Sequence, residues 1–282
     1  MSGRLLHRNL VANRERQVSE TRQMSSIGLP NFETVAQCVA RNERMLRRFQ
    51  NHGSPTVNDL LQGIQQSGGG DDHFDLDVDG DWLASRRYRS TLIPQAIDLL
   101  KNHAGPLYFV TITHPRWELP KGQLKKANVD AAKQWLRRRL KRLAFPVIVV
   151  GGYEASVSVE LNGDAFWACH LHFVIAGADE TELKTSLKIE KRYRKRRRSK
   201  PVLIEPIGTL AQRLGYSIKR IGQRRVAYIG ENGRQQRNKL PLILSEQIEF
   251  DAWLLKMPAG SRTILFGCRL HCDRLCAIQP TS

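Results

Sequence analysis

The chain has 282 residues, with 45 Lys and Arg against 27 Asp and Glu, so its net charge is +18 and its pI is near 10.2. A hydrophobic share of 41% is too high for a wholly disordered chain, and the sequence has no run of about 18 apolar residues that would span a membrane. The first residues lack an apolar segment of signal-peptide length, and five cysteines are an odd number for a disulfide framework. We therefore expect a cytoplasmic protein whose positive charge meets a polyanion. Nucleic acid fits better than a membrane surface, because no basic amphipathic anchor with an aromatic face is present.

Composition divides the chain into four parts. Residues 1–70 carry many Arg and few large apolar side chains, and we interpret them as a basic N-terminal extension, partly helical or disordered. Residues 71–104 are interpreted as a linker and a first helix. The hydrophobic pattern is dense over residues 105–267, which form the predicted principal domain, and residues 268–282 form a C-terminal tail.

Strands and helices alternate irregularly within the principal domain. Leu107–Thr113 is a β-branched and aromatic run that indicates a strand, and apolar residues at helical spacing from Val129 to Leu143 indicate a helix. The predicted elements after Pro146 are two strands joined by a turn at Asn162-Gly163, a helix over 180–192, a strand over 202–207 and a helix over 209–220. This order predicts an α+β fold with a central antiparallel sheet and helices on one face.

Two histidines in the second strand of this hairpin form the sharpest chemical pattern. Because side chains alternate along a strand, His170 and His172 point to one face and Leu171 points to the other. An isolated pair of this kind is more often a pair of partly exposed histidines on a solvated face. The neighbouring strand therefore decides between that interpretation and a site for one divalent cation.

The preceding strand places Glu154, Ser156, Ser158 and Glu160 on one face. Glu154 pairs opposite His172 if paired residue numbers sum to 326, which requires a three-residue loop or a bulge rather than a two-residue turn. The polarity pattern favours this even register, because only then do the polar residues and the histidines share a face. Two histidines and one carboxylate then form an open three-ligand site. Glu160 falls near the turn and is the weaker third ligand.

These segments resemble the His–hydrophobic–His (HUH) endonucleases, and most of all the rolling-circle replication initiators of plasmids and phages. The similarity lies in Gly152-Tyr153-Glu154 and in Trp167–Ile175, which contains the two histidines. Phe109–Thr113 is similar to the family's first motif on an earlier strand, and Tyr216–Lys219 is similar to its Tyr-x-x-Lys motif on a helix. The resemblance covers residues 105–267 and implies a ferredoxin-like fold.

The resemblance also implies a reaction and its residues. A tyrosine attacks a DNA phosphodiester, keeps the 5′-phosphate as a phosphotyrosine, frees a 3′-hydroxyl and later allows the strand to be rejoined. His170, His172 and Glu154 would bind Mn²⁺ or Mg²⁺, which neutralises charge on the scissile phosphate. Tyr216 would be the nucleophile, and Lys219, one helical turn further on, would hold the phosphate or lower the phenol pKa.

The sequence departs from the family pattern at two positions and leaves several functions open. Cys169 stands where the family often has proline, and Gly215 weakens the helix that carries the tyrosine. Tyr228 is a reserve nucleophile without a lysine three residues later. The leading hypothesis is a replication initiator that nicks single-stranded DNA or an origin hairpin. The alternatives are a transposase or relaxase with the same chemistry, or a non-catalytic nucleic-acid-binding protein. No phosphate-binding loop of the Gly-x-x-x-x-Gly-Lys type is present, so a host helicase and polymerase would act as partners.

Two basic groups are predicted to contact DNA phosphates without reading sequence. The first group is Lys191, Arg192, Arg194, Lys195, Arg196, Arg197 and Arg198. The second group, on one face of the 129–143 helix, is Lys133, Arg137, Arg138 and Lys141.

Two further patterns are weaker metal candidates. One imitates the start of an EF-hand loop but has Arg86 at its twelfth position, and it consists of Asp75, Asp77, Asp79 and Gly80. The other lacks the usual Cys-x-x-Cys spacing of zinc sites, and it consists of Cys268, His271, Cys272 and Cys276.

Overall fold

The computed structural model describes residues 19–20, 22–52, 78–190 and 201–278. Its helices are α1 (Val35–His52), α2 (Trp82–Lys101), α3 (Val129–Leu140), α4 (Glu180–Ser186), α5 (Leu210–Ser217) and α6 (Leu244–Leu255). Its strands are β1 (Leu107–Pro120), β2 (Ile148–Val159), β3 (Ala165–Ala176), β4 (Val202–Pro206), β5 (Arg224–Ile229), β6 (Gln235–Leu240), β7 (Thr263–Phe266), β8 (Cys268–His271) and β9 (Arg274–Ala277). None of the helices in these ranges is long and apolar enough to cross a membrane.

Seven strands form one sheet in the order β4-β1-β3-β2-β5-β6, and β7 also pairs with β2. Every pair is antiparallel except β2 with β5, which run parallel where Val157–Val159 meets Arg224–Val226. The α+β prediction is confirmed, but the sheet is mixed rather than wholly antiparallel. The reason is that the chain after α5 runs beside β2 and in the same direction as β2. The amide of Val157 donates to the carbonyl of Gln223 just before β5 begins.

Helices cover both faces of this sheet, whereas the sequence pattern predicted helices on one face. Helices α3, α4 and α6 pack on the face that carries Val110, Ile112 and Leu171. Helices α2 and α5 pack on the opposite face, against Phe109 and Val174. The prediction was wrong because the second face is also apolar at one end of the sheet, and a buried apolar face requires a covering layer.

The described part of the predicted N-terminal extension packs on the principal domain. The side chain of Asn42 in α1 donates to Asp81 and accepts from the amide of Trp82 at the start of α2. Arg48 in α1 forms an ion pair of 2.7 Å with Asp251 in α6. Helix α1 therefore contacts both α2 and α6, which are far apart in the sequence.

Several element bounds differ from the sequence predictions. Strand β1 continues to Pro120 through an irregularity between Thr113 and Glu118. The helix predicted over 180–192 ends at Ser186, and the helix predicted over 209–220 ends at Ser217.

Candidate metal and nucleophile site

The β2–β3 hairpin brings the predicted ligands together in an even register. A three-residue loop over 161–163 joins the strands, and Gly163 takes a positive φ of 87° there, which confirms the predicted loop length. Glu154 pairs opposite His170, not opposite His172, so the predicted register was wrong by two residues. The loop begins one residue earlier than that register requires, because Glu160 and Asp164 close it with a backbone hydrogen bond.

The carboxylate of Glu154 reaches both imidazoles. Its Oε2 atom lies 3.2 Å from Nε2 of His172 and 3.5 Å from Nε2 of His170. Ligand atoms held about 2.1 Å from one cation are separated by about 3.0 Å at right angles and about 3.4 Å in a tetrahedron. The three residues are at most 3% exposed. Their spacing therefore fits one small divalent cation.

Hydrogen bonds orient both rings. Nδ1 of His170 lies 3.0 Å from the carbonyl oxygen of Ala168, which only accepts, so the proton of the neutral ring is on Nδ1. Nδ1 of His172 lies 2.9 Å from the hydroxyl of Thr111. Both Nε2 atoms are then left to face Glu154, as metal-binding histidines require. Thr111 belongs to the segment that resembles the first family motif, but sequence reasoning assigned it no role.

Polar atoms at this site lack hydrogen-bond partners among the described residues. They are Oε2 of Glu154 and the Nε2 atoms of His170 and His172, whereas Oε1 of Glu154 has the ammonium of Lys219 as its ion-pair partner. Buried polar atoms are normally satisfied, so a group of such atoms facing one point favours a bound cation. Within the described ranges, Glu154, His170 and His172 form the group of metal-type ligands whose atoms all lie within 4.8 Å.

The charge states suit a cation as well. Burial raises the pKa of Glu154, but the two histidines outweigh burial and hold the pKa well below its usual value. Burial and the neighbouring His170 lower the pKa of His172 to about 4. At neutral pH the carboxylate is therefore ionised and the His172 ring is neutral, which are the forms that bind metals.

Helix α5 places Tyr216 and the following turn beside these ligands. The ring of Tyr216 lies 4.9 Å from the ring of His172 and 6.0 Å from that of Phe109, both edge-on. Nζ of Lys219 lies 3.7 Å from the centre of the Tyr216 ring and 3.2 Å from Oε1 of Glu154. Lys219 lies beyond the end of the helix, not on its face as predicted, because α5 ends at Ser217.

Neighbouring elements hold this turn in place. A side chain at position 152 would place its β-carbon 2.5 Å from the backbone carbonyl oxygen of Ser217, which is too close. Gly152 has no β-carbon and therefore allows α5 to approach β2. Arg220 is 1% exposed and donates to the carbonyls of Asp79 and Gly80, and its guanidinium lies 4.0 Å from the centre of the Trp82 ring. The start of α2 therefore anchors the residue that follows Lys219.

The other tyrosine and carboxylate candidates lie elsewhere. The hydroxyl of Tyr228 donates to Gln236 across the β5–β6 hairpin. Glu160 accepts two hydrogen bonds from Arg237, at 2.7 Å and 2.9 Å. Neither side chain is brought to the site that Glu154 and the histidines form.

The predicted phosphate-contacting residues differ in their position and exposure. Arg137, Arg138 and Lys141 are exposed, but α3 packs on the sheet face opposite to the histidines. Lys133 donates to the carbonyl of Ser261, and burial lowers its pKa, so it is directed into the protein. The cluster from Lys191 to Arg198 lies outside the described residues.

The Cys268 group does not bring three of its metal-type ligands together in the described part of the chain, and Asp75 and Asp77 of the EF-hand-like pattern lie outside the described residues. Cys268 is buried and donates to the carbonyl of Val149, whereas Cys272 and Cys276 are exposed. Asp79 instead accepts from the guanidinium of Arg262 and from the amide of Gly260.

Comparison of this chain with protein-family models, with curated proteins and with solved structures found no match.

Proposed function

We propose that this protein is a metal-dependent DNA endonuclease of the His–hydrophobic–His type, which initiates replication by a tyrosine attack. The observation that carries the proposal is the position of Tyr216, whose ring lies 4.9 Å from that of His172 although 43 residues separate them in the chain. A nucleophile beside a metal-type ligand group suits metal-assisted attack by a side chain on a phosphate.

The sheet order supports the same proposal. Strands β4-β1-β3-β2 are antiparallel, and the crossover helices α3 and α4 lie on one face. This order supports the split βαβ arrangement of ferredoxin-like folds that the family resemblance implies. The α2 and α5 layer is an addition on the other face, and α5 brings Tyr216 to the histidines.

In the proposed reaction, each bond that forms at phosphorus is matched by one that breaks. The phenolic oxygen of Tyr216 forms a bond to phosphorus, its proton leaves to solvent, and the bond from phosphorus to the 3′-oxygen breaks. The departing oxygen takes up a proton and becomes the free 3′-hydroxyl, and the reverse steps rejoin the strand. Mn²⁺ or Mg²⁺ held by Glu154, His170 and His172 would neutralise charge on the phosphate. The ammonium of Lys219 lies between the phenol ring and Glu154, where it would attract the same phosphate.

The direct test is the covalent adduct. Wild-type protein incubated with single-stranded DNA and Mn²⁺ is expected to give a protein–DNA band on a denaturing gel, and peptide mapping is expected to find the nucleotide on Tyr216. Tyr216→Phe removes only the attacking oxygen and is expected to abolish the band.

Tyr228→Phe is the matched control, because it removes the same atom from the β5–β6 hairpin and is expected to leave the band unchanged. A nucleotide on Tyr228 would contradict the assignment. Absence of any adduct with Mn²⁺ or Mg²⁺, on single strands and on hairpins, would favour a non-catalytic nucleic-acid-binding protein.

A further inference from the structure

Strands β5 and β6 form a basic hairpin at the edge of the sheet, which we call the β5–β6 ribbon (residues 224–240). Its sequence contains five cations and one acidic residue. The cations are Arg224, Arg225, Arg234, Arg237 and Lys239. Strand β6 is exposed from residue 236 to residue 240 and forms the outer edge.

The pairing register places three of these cations on the face that carries the candidate metal ligands. Arg225 pairs with Ser158 of β2, which shares a face with Glu154. Lys239 pairs with Arg225, and paired residues share a face. Arg237 lies two residues from Lys239 on the same face, and it donates to the hydroxyl of Ser158.

The distance from the metal ligands suits one DNA strand. Glu154 and Ser158 are four residues apart on β2, which is about 13 Å along the strand. This corresponds to about four nucleotides at the 3.4 Å rise of a DNA strand. The spacing between Glu154 and Ser158 therefore corresponds to a few nucleotides of a strand whose scissile phosphate lies at Glu154.

The charges on the ribbon are only partly balanced. Arg224 pairs with Glu246 at 3.4 Å, and Arg237 pairs with Glu160 at 2.7 Å. Among the residues that the structure describes, Arg225 and Lys239 have no carboxylate partner, and Nε of Arg225 is buried without a hydrogen bond. Charged side chains on an edge strand also prevent pairing between molecules, so this protective role is the competing explanation for Lys239.

We propose that the face of the ribbon bearing Arg225 and Lys239 binds backbone phosphates of the DNA strand, a few nucleotides from the scissile phosphate. This inference rests on the proposed function, because the nuclease site defines which phosphate is cut. The ribbon supplies the strand-binding surface on the metal-ligand side of the sheet, whereas the exposed cations of α3 lie on the other side.

The test measures the salt dependence of binding to a fluorescein-labelled, mixed-sequence single strand in EDTA, so that cleavage plays no part. Removal of two phosphate contacts by Arg225→Gln with Lys239→Gln is expected to reduce the slope of log K against log salt by about 1.4. The single variant Lys239→Glu, at an exposed residue, is expected to reduce it as well. Thermal unfolding checks that each variant is folded.

The matched control is Lys125→Gln with Lys256→Gln, which removes the same charge from two exposed lysines. Lys125 follows Leu124 and Lys256 follows α6, and both Leu124 and α6 pack against the opposite face of the sheet. An unchanged slope in the ribbon variants, or an equal reduction in the control, would overturn the proposal. An unchanged slope together with new self-association on gel filtration would assign Lys239 to edge protection. Failure of the nuclease proposal would appear separately, as wild-type protein that binds DNA but forms no adduct.

Discussion

Thr111 is the residue whose chemistry the structure adds to the candidate site. Its hydroxyl lies 2.9 Å from Nδ1 of His172, and partners of this kind fix the orientation of a metal-binding ring. We expect Thr111→Val, which keeps the shape and removes the hydroxyl, to weaken Mn²⁺ binding about 10- to 100-fold. Calorimetric titration of the metal checks this.

Thr113→Val is the control for that substitution. Thr113 lies on the same strand and pairs opposite His170, but its hydroxyl donates to the carbonyl of Pro201 rather than to a histidine. We expect its metal affinity to remain close to that of the wild type. Equal losses in both variants would indicate a packing effect and would contradict the role of the Thr111 hydroxyl.

The acid sensitivity of the metal-free protein is a second prediction at this scale. Burial lowers the pKa of His172 from 6.5 to about 4, so between these values the unfolded chain binds the proton and the folded chain does not. Stability therefore falls as the pH falls from about 6.5 to about 4, by up to about 3 kcal/mol. The low pKa of Glu154 acts in the same direction at still lower pH.

Urea unfolding in EDTA across this range measures that effect, with His172→Gln as the comparison. The variant cannot take up the proton and is expected to lose less stability than the wild type between the two ends of the range. Parallel pH profiles of the two proteins would contradict the shifted pKa.

At the scale of elements, the β2–β3 hairpin shows how far the sequence leads. The alternation of polar residues correctly predicts an even register and a three-residue loop, because a strand has a period of two. It does not decide between Glu154 opposite His170 and Glu154 opposite His172, since a shift of two residues keeps every side chain on its face. The position of the closing hydrogen bond between Glu160 and Asp164 makes that choice.

Other elements gave no clear pattern in the sequence. Strand β6 has the sequence QQRNKL, which lacks the apolar alternation of a half-buried strand because it is an exposed edge. The β5–β6 ribbon was therefore not predicted. The length of α5 was also not predicted, since the chain leaves the helix at Ser217 to follow β2, a tertiary contact that local spacing does not encode.

The contact between α5 and β2 gives the prediction at this scale. In Gly152→Ala the new β-carbon would meet the carbonyl of Ser217 at 2.5 Å, so α5 must shift and Tyr216 must shift with it. A displacement of about 1 Å is expected to slow adduct formation on the order of 100-fold. Single-turnover adduct assays measure the rate, and Mn²⁺ binding is expected to persist where α5 shifts and the ligands do not.

Gly208→Ala is the matched control, because a β-carbon at position 208 meets no atom within 4 Å. It is expected to form the adduct at the wild-type rate. A wild-type rate in Gly152→Ala would mean that the position of α5 does not limit the reaction.

At the scale of the whole molecule, the candidate metal and nucleophile site depends on parts of the chain that composition sets apart. Arg220, next to Lys219, is held by the carbonyls of Asp79 and Gly80 at the start of α2. The same α2 start is held by Asn42 of α1. A chain of contacts thus runs from the N-terminal region to the turn that carries Lys219, which composition alone does not reveal.

The reactivity of the cysteines tests this packing over the whole molecule. Cys38 in α1, Cys169 in β3 and Cys268 in β8 are buried, and burial raises their pKa values to about 11, about 12 and about 12. Cys272 and Cys276 are exposed. Because the thiolate is the reactive form, two thiols are expected to react rapidly with a disulfide reagent in the native protein, and all five in concentrated guanidinium. Cys38 is the decisive residue, since its protection requires α1 to pack on α2, whose Arg86 and Arg89 lie near the thiol. Mass spectrometry of the labelled peptides identifies each thiol. Rapid labelling of Cys38 while Cys169 remains protected would show that α1 separates from an otherwise folded protein, and the link from α1 through α2 to Lys219 would then be lost.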